Sequence, residues 1–339
     1  MNTCYRGTPT CEPLETRRLF ASTLPHFDHV LIVMEENRSQ QDILGSNTIS
    51  SLLWPVVPPT QLTQAPYIRH LASQGASLTN MFAETHPSQP NYIALFSGST
   101  QGVSSDAVPT KQISAPSLGG QLIAKGLTFA GFSEDLPAAG SLVDKSGEYA
   151  RKHNPWSDFT DVPQATSNLP FSAFPANDFS KLPTVSFVVP NQKNDMHSGT
   201  VKAADDWLKS HINPYAQWAR THNSLLIVTW DEGRSSNKIA TIFYGAHVRK
   251  GSFGYASDHY RVLRTVEQMY GLTPLGAAAD NAPLRKIFRT TAMTTSSTAT
   301  SAPVTTPRIA DTIFSNSAIA PSLWEQLMNE TFVGPLPLA

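Results

Sequence analysis

The sequence predicts an α/β layered fold built on a parallel sheet, and three apolar runs carry that prediction. HVLIVM from His29, TVSFVV from Thr184 and SLLIVTW from Ser224 are short, rich in β-branched residues and bounded by turn residues. That is the pattern of strands buried on both faces. Each run ends in polar chemistry: Glu35, Glu36 and Asn37 after the first, Asn191, Asn194, Asp195 and His197 after the second, Asp231 and Glu232 after the third. Ligands of open α/β sheets bind beyond the carboxyl ends of the strands. Three remote segments thus deliver carboxylates, an amide and an imidazole to one rim, a set suited to a hard divalent cation and a phosphate ester.

The remaining elements follow in order. Residues 1–25 read as a tail and 26–289 as the main domain. Pro66 opens a helix, PYIRHLASQ, stopped by Gly75, and a strand follows over Ala76 to Phe82. Pro116-Ser117 opens LGGQLIAK, ended by Gly126, and LTFAGF is the next strand. Gly140 to Phe179 has little periodicity and many Pro, Asn and Ser, which predicts a long excursion over the rim. Asp205 to Arg220 is expected as one helix, and IATIFYGAHV as a further strand. Asp258 caps HYRVLRTVEQMY, whose apolar face is Val262, Leu263, Val266 and Met269, with Gly271 as its stop. Residues 290–307 form a Ser/Thr-rich linker, and 308–339 a tail whose one amphipathic piece, SLWEQLMN, is a docking candidate.

Composition bounds the partners. The chain has 339 residues, 15% of them charged, and a net charge of −1, which leaves no electrostatic footprint of a nucleic-acid binder. No apolar run is long enough for a membrane-spanning helix. Cys4 and Cys11 are the only cysteines. They form either a small loop disulfide or two free thiols, and two sulfurs alone make a structural zinc site a poor expectation. Oligomeric state stays open.

Ser88 lies in THPSQPNYIALFSG just before Pro90. Proline is tolerated in the first helical turn, where its missing N–H has no intrahelical partner to lose. Ser88 therefore stands at a helix N-terminus, where free N–H groups and the dipole attract a phosphoryl group, or it merely caps that helix.

Seven motifs in order resemble one family: MEENRS (Met34–Ser39), THPSQPNYIALFSGST (Thr85–Thr100), EDLP (Glu134–Pro137), YARKHNP (Tyr149–Pro155), VPNQKNDMHSG (Val189–Gly199), TWDEG (Thr229–Gly233) and DHYRVLRTVEQMYGL (Asp258–Leu272). They resemble the bacterial acid phosphatase/phospholipase C family of phosphoesterases, within the alkaline-phosphatase superfamily. The resemblance implies a three-layer α/β/α sandwich with a central, mostly parallel sheet. It implies Ser88 as a hydroxyl nucleophile and one divalent metal held by Glu36, Asn37, Asp231 and Glu232. It places His153 and His197 near the phosphate and the leaving group. Many relatives have Asp-Asp or Asp-Glu-Asp where this chain has Asp231-Glu232-Gly233, which leaves the metal open. The oxygen donors favour Ca²⁺, Mg²⁺ or Mn²⁺ over Zn²⁺. Separately, CEPLETRRLFAS (Cys11–Ser22) is similar to the LEPR-x-L-L export motif of planctomycete extracellular proteins, which implies an exported protein.

The other site residues have two readings each. Asp195, placed with the substrate-binding residues, either binds metal or orients the His197 imidazole, the second being favoured. Asn91 holds phosphate or caps its turn, and His86 faces the phosphate or packs. His259 begins a helix and is either a substrate contact or an ordinary N-terminal residue. Glu35 is expected as a rim charge, since strand alternation turns it away from Glu36.

The expected reaction is phosphomonoester hydrolysis of a small substrate through a phosphoserine. A phospholipase C-like diesterase is the alternative, with Tyr149, Trp156 and Phe159 available to contact choline. Phospholipase C relatives tend to carry extra C-terminal β domains, for which this chain has no room. A third reading is a non-catalytic exported binding protein on the same scaffold.

Overall fold

The computed structural model describes residues 24–45, 64–234 and 236–289, all within one compact unit. The export-like motif, both cysteines, the linker and the C-terminal amphipathic piece lie outside the described residues. The strands are β1 His29–Glu35, β2 Ala76–Leu78, β3 Phe129–Ser133, β4 Lys145–Ser146, β5 Tyr149–Ala150, β6 Asn168–Pro170, β7 Val185–Val189, β8 Ser224–Trp230, β9 Thr241–Gly245 and β10 Gly251–Phe253. The helices are α1 Gln40–Leu44, α2 Pro66–Gln74, α3 Ser88–Ser97, α4 Leu118–Ala124, α5 Gln164–Ser167, α6 Val201–His211, α7 Asn213–Ala219 and α8 His259–Tyr270.

Eight strands form one sheet in the order β10-β2-β9-β8-β1-β7-β3-β6, while β4 and β5 make a separate hairpin. The three apolar runs lie side by side at its centre as β8, β1 and β7, all parallel. Their side chains from Val30 to Met34, and from Leu225 to Val228, are almost wholly excluded from solvent. Only β9 runs against its neighbours, pairing antiparallel with both β8 and β2. Helices α2, α6 and α7 pack together, as do α3, α4 and α8, consistent with the three-layer α/β/α architecture.

Register sets the rim. His29 to Glu35 align with Ser224 to Trp230, and Val30 to Val33 with Val185 to Val188. Past the last ladder pairs the backbone stays stitched: Asp231 N–H donates to the Glu35 carbonyl at 2.9 Å and Glu36 N–H to the Asp195 carbonyl at 2.7 Å. The residues that follow the three strands are thus fixed relative to one another before any side chain is considered.

Three expectations need correction. The strand foreseen over 76–82 stops at Leu78, and Met81 and Phe82 make only single bridges, to Ser257 and Lys238. The single helix over 205–220 is two, because Pro214 lacks an N–H and constrains the residue before it, so the chain restarts as α7. The 140–179 excursion is not a plain loop. It contains the β4–β5 hairpin, 3₁₀ turns at Arg151–His153 and Pro155–Asp158, α5, and β6, which extends the sheet edge. Its Trp156 packs where a Cβ on Gly131 would come within 2.0 Å of the indole, so β3 accommodates the excursion only through that glycine.

Helix α8 has the boundaries its caps dictate: the Asp258 side chain accepts the Arg261 N–H, and Gly271 ends it at φ 60°. On its buried face Glu267 Oε1 accepts the Leu275 N–H at 2.8 Å, while Oε2 has no hydrogen-bond partner among the described residues. Burial pushes the Glu267 carboxyl up to about 7. A carboxyl whose folded pKa exceeds its unfolded value of about 4.3 supports folding fully below that value, and this support is lost as pH rises through the folded pKa. Glu267→Gln should therefore gain melting temperature over the wild type as pH rises from about 5 to about 8. Thermal melts at both pH values test this, and a gap independent of pH would contradict it.

Candidate active site

The helix that carries Ser88 begins at Ser88 itself, with Pro87 as its N-cap. Ser88 is not a capping side chain. Its Oγ lies 3.2 Å from Glu36 Oε2 and 3.3 Å from Glu232 Oε1, and the residue is only 1% exposed. Pro90, in the first turn, removes an N–H that the helix would leave free. The Asp106 carboxylate accepts the Gln89 N–H at this helix start, at 3.1 Å.

Around Ser88 the three strand-end segments converge. Glu36 sends Oε1 to within 2.9 Å of His153 Nε2, and its Oε2 accepts from Asn37 Nδ2 at 2.6 Å. Asn37 turns the chain at φ 51°, a left-handed conformation that asparagine tolerates better than most residues. Its N–H donates to Asp231 Oδ1 at 3.0 Å. Asp231 Oδ2 is buried with no partner among the described residues. Glu232 Oε2 reaches His86 Nδ1 at 2.6 Å.

The electrostatics follow from three carboxylates gathered out of water. Burial, then the charges of Glu36 and Glu232, raise Asp231 well above the ordinary carboxylate range. Burial also raises Glu232, against the opposing charge of His86. Burial is the largest influence on Glu36 and works against its ionised form, yet the charge and hydrogen bond of His153, with the Lys152 charge and Asp231, together outweigh it and hold Glu36 low. Reciprocally, desolvation pulls His153 down but Glu36 and Asp195 raise it, so its imidazolium is favoured. Tyr92, one helical turn after Ser88, stacks on the His153 ring at 5.1 Å between centroids and an interplanar angle of 11°.

The structure separates the remaining predicted residues. His153 and His197 stand together, with ring centroids 5.9 Å apart, His153 buried and His197 exposed toward solvent. Desolvation lowers His197 below its ordinary pKa. Asp195 corrects its favoured role: it takes the His197 backbone N–H at 2.7 Å, but the ring it approaches is that of His153, at 3.3 Å from Nδ1. Asn91 spends its amide on the preceding loop. It accepts from the N–H groups of Glu84 and Thr85 and donates to the carbonyls of Thr85 and Pro87. His259 is fully buried, bonded through Nδ1 to Glu84 and through Nε2 to the Trp230 carbonyl at 2.8 Å. Both therefore brace the loops that hold Ser88 and Asp231.

Glu35 is not a rim charge. It is 0% exposed, neither oxygen has a hydrogen-bond partner among the described residues, and burial followed by the Asp195 charge raises it. Tyr149, Trp156 and Phe159 are also buried, at 3%, 0% and 0% exposure. They belong to the core and are not placed to contact a headgroup.

Sequence reasoning left some contributors without a role. Tyr92 was detectable as the i+4 neighbour of Ser88, and Glu84 immediately precedes the loop motif that begins at Thr85. Glu134, from the EDLP motif, binds Asn191 N–H, the Asn194 amide and Trp207 Nε1, and so anchors the loop bearing Asp195 and His197. Lys152 beside His153 is paired with Asp106 at 2.7 Å.

Among the described residues no three His, Cys, Asp or Glu side chains stand as a ready-made metal-binding set. The chemical fit is nonetheless with a hard cation: the Ser88 hydroxyl is bordered by the oxygens of Glu36 and Glu232, and Asp231 keeps a buried oxygen unpartnered.

Known proteins complete the picture. Residues 60–273 match the Phosphoesterase family. The chain is 50% identical over 273 residues to a phosphatidylinositol-3-phosphatase of Mycobacterium tuberculosis, covering 80% of this chain and 86% of that protein. It is 31% identical over 230 residues to an acid phosphatase of Aspergillus fumigatus, covering 62% of this chain but only 51% of that longer protein. A solved protein of the alkaline phosphatase superfamily from Vibrio parahaemolyticus shares the fold with a TM-score of 0.52 at 12% identity, covering 74% of this chain and 68% of the other. The chain belongs to the Phosphoesterase family and is a phosphoric ester hydrolase of acid-phosphatase-like kind.

Proposed function

We propose that the protein is a metal-dependent phosphomonoesterase acting through a phosphoserine on Ser88. The observation that carries this reading is the buried Ser88 hydroxyl between Glu36 and Glu232 at the start of α3. A serine hydroxyl is a weak nucleophile at neutral pH and needs a base or a cation beside it. The relatives' names, a phosphatidylinositol-3-phosphatase and an acid phosphatase, support monoester rather than diester substrates.

Glu36, Asp231 and Glu232, with Asn37, would hold the cation. When bound, it supplies Lewis-acid stabilisation of negative charge on oxygen. The protein's own part begins at Ser88, whose proton passes toward the carboxylate of Glu36 or Glu232 as the oxygen attacks phosphorus. The N-terminus of α3 faces the developing charge with its dipole and the Ser88 N–H, the Gln89 N–H being taken by Asp106. His153, held protonated by Glu36 and Asp195, offers a positive charge to the phosphoryl oxygens. His197, at the open side, gives a proton to the departing alkoxide. Water then attacks the phosphoserine and returns Ser88.

Three outcomes are expected. Ser88→Ala removes nearly all release of p-nitrophenol from p-nitrophenyl phosphate, and retained turnover in a folded variant would contradict the nucleophile assignment. EDTA abolishes turnover, and added Ca²⁺, Mg²⁺ or Mn²⁺ restores it; activity indifferent to chelation would remove the metal from the scheme. His197→Asn slows hydrolysis of an alkyl phosphate by about 10²-fold or more, as expected for loss of a general acid. It affects p-nitrophenyl phosphate far less, because p-nitrophenolate departs without a proton. Equal losses on both substrates would deny His197 the proton-donor role.

A further inference from the structure

The two loops that bear the acidic residues also bear cations. Arg38 follows Asn37 directly, and Arg234 stands two residues after Glu232. The loops run side by side: the Arg234 N–H donates to Ser39 Oγ at 3.0 Å and the Gln40 N–H to the Lys238 carbonyl at 2.8 Å. The half-buried Arg38 guanidinium ties two parts of the site together. It donates from Nη1 to the Asn37 carbonyl at 2.9 Å and from Nη2 to the Gly199 carbonyl at 3.3 Å, two residues beyond His197.

Arg38, Arg234 and Lys238 make no salt bridge among the described residues, whereas Lys152, Lys193 and Lys202 each have one. Residues 46–63, which continue from the first loop, contain no Asp or Glu. Asp42, in α1 just after that loop, accepts the Ser39 N–H. Glu36 and Asp195 also lie in the field of Arg38, but both are paired with His153. An anion is the partner this arrangement lacks. Guanidinium groups bind phosphate with paired, charge-assisted hydrogen bonds.

We propose that Arg38 and Arg234, with Lys238 beside them, form a second anion subsite, which selects phosphomonoesters carrying a further phosphate. This deepens, and rests on, the reading of Ser88 as the centre of a phosphomonoesterase. The further phosphate is either a free monoester, as in a soluble bisphosphate, or the diester link of a lipid headgroup.

The test compares kcat/KM for inositol 1,3-bisphosphate, inositol 3-phosphate, dibutanoyl phosphatidylinositol 3-phosphate and p-nitrophenyl phosphate. Expected is a preference of about tenfold for the two-phosphate substrates over inositol 3-phosphate at low ionic strength, diminishing in high salt. Arg234→Glu, which alters an exposed side chain, should bring the ratio to about one or below. Arg38→Lys, which keeps charge but loses the planar fork, should give an intermediate ratio. A gain on both substrates supports a subsite for any second phosphate, and a gain on the lipid alone supports one for a diester link. Turnover of p-nitrophenyl phosphate without any preference, or a preference untouched by Arg234→Glu, overturns the subsite alone. No turnover of any substrate overturns the phosphomonoesterase reading and the subsite with it.

Discussion

Three carboxylates gathered out of water around one hydroxyl are the constraint on which this structure turns. Glu36, Asp231 and Glu232 are at most 5% exposed, and placing like charges together in a poorly solvated site is strongly unfavourable unless each is matched. Part of the match is visible: His153 answers Glu36, His86 answers Glu232, and the Asn37 N–H answers one oxygen of Asp231. The other oxygen of Asp231 has none among the described residues. The proposed cation would supply the missing positive charge and, with it, a place for the negatively charged phosphoryl group.

Holding such a cluster requires a frame that does not yield. The frame is the register of β8, β1 and β7, stitched beyond the sheet by Asp231 to Glu35 and Glu36 to Asp195. Around it, buried polar residues are committed to loops rather than to ligand. Asn91 closes the turn before Ser88, His259 joins Glu84 to the end of β8, and Glu134 secures the loop that bears His197. Each satisfies backbone or side-chain groups that burial would otherwise leave unpaired. The exposed His86 and His197 mark the open side of the site, while His153 and Tyr92 close its floor.

Much of this was legible in the sequence because strand ends and helix starts obey local rules. Apolar runs fixed where Glu36, Asp195 and Asp231 would emerge, proline placed Ser88 at a helix start, and Asp258 with Gly271 bounded α8 correctly. What was not legible depends on long-range packing. Strand alternation turned Glu35 away from Glu36, but only the packing of the opposite face decides that it is buried instead of exposed. The partner of Asp195 could not be read from its neighbour His197, because His153 arrives from a segment some forty residues earlier. Pro214 was a local signal that outweighs the apolar spacing on either side of it. Tyr149, Trp156 and Phe159 could not be told apart from ligand contacts, since core and pocket aromatics look alike in sequence.

The account stands or falls on where the phosphoryl group goes. The most direct measurement is acid quenching of the enzyme during turnover of p-nitrophenyl phosphate, followed by mass spectrometric mapping of the modified peptide. The account predicts a phosphate on Ser88 in the peptide that contains THPSQPNY. A phosphate found on another residue would contradict it.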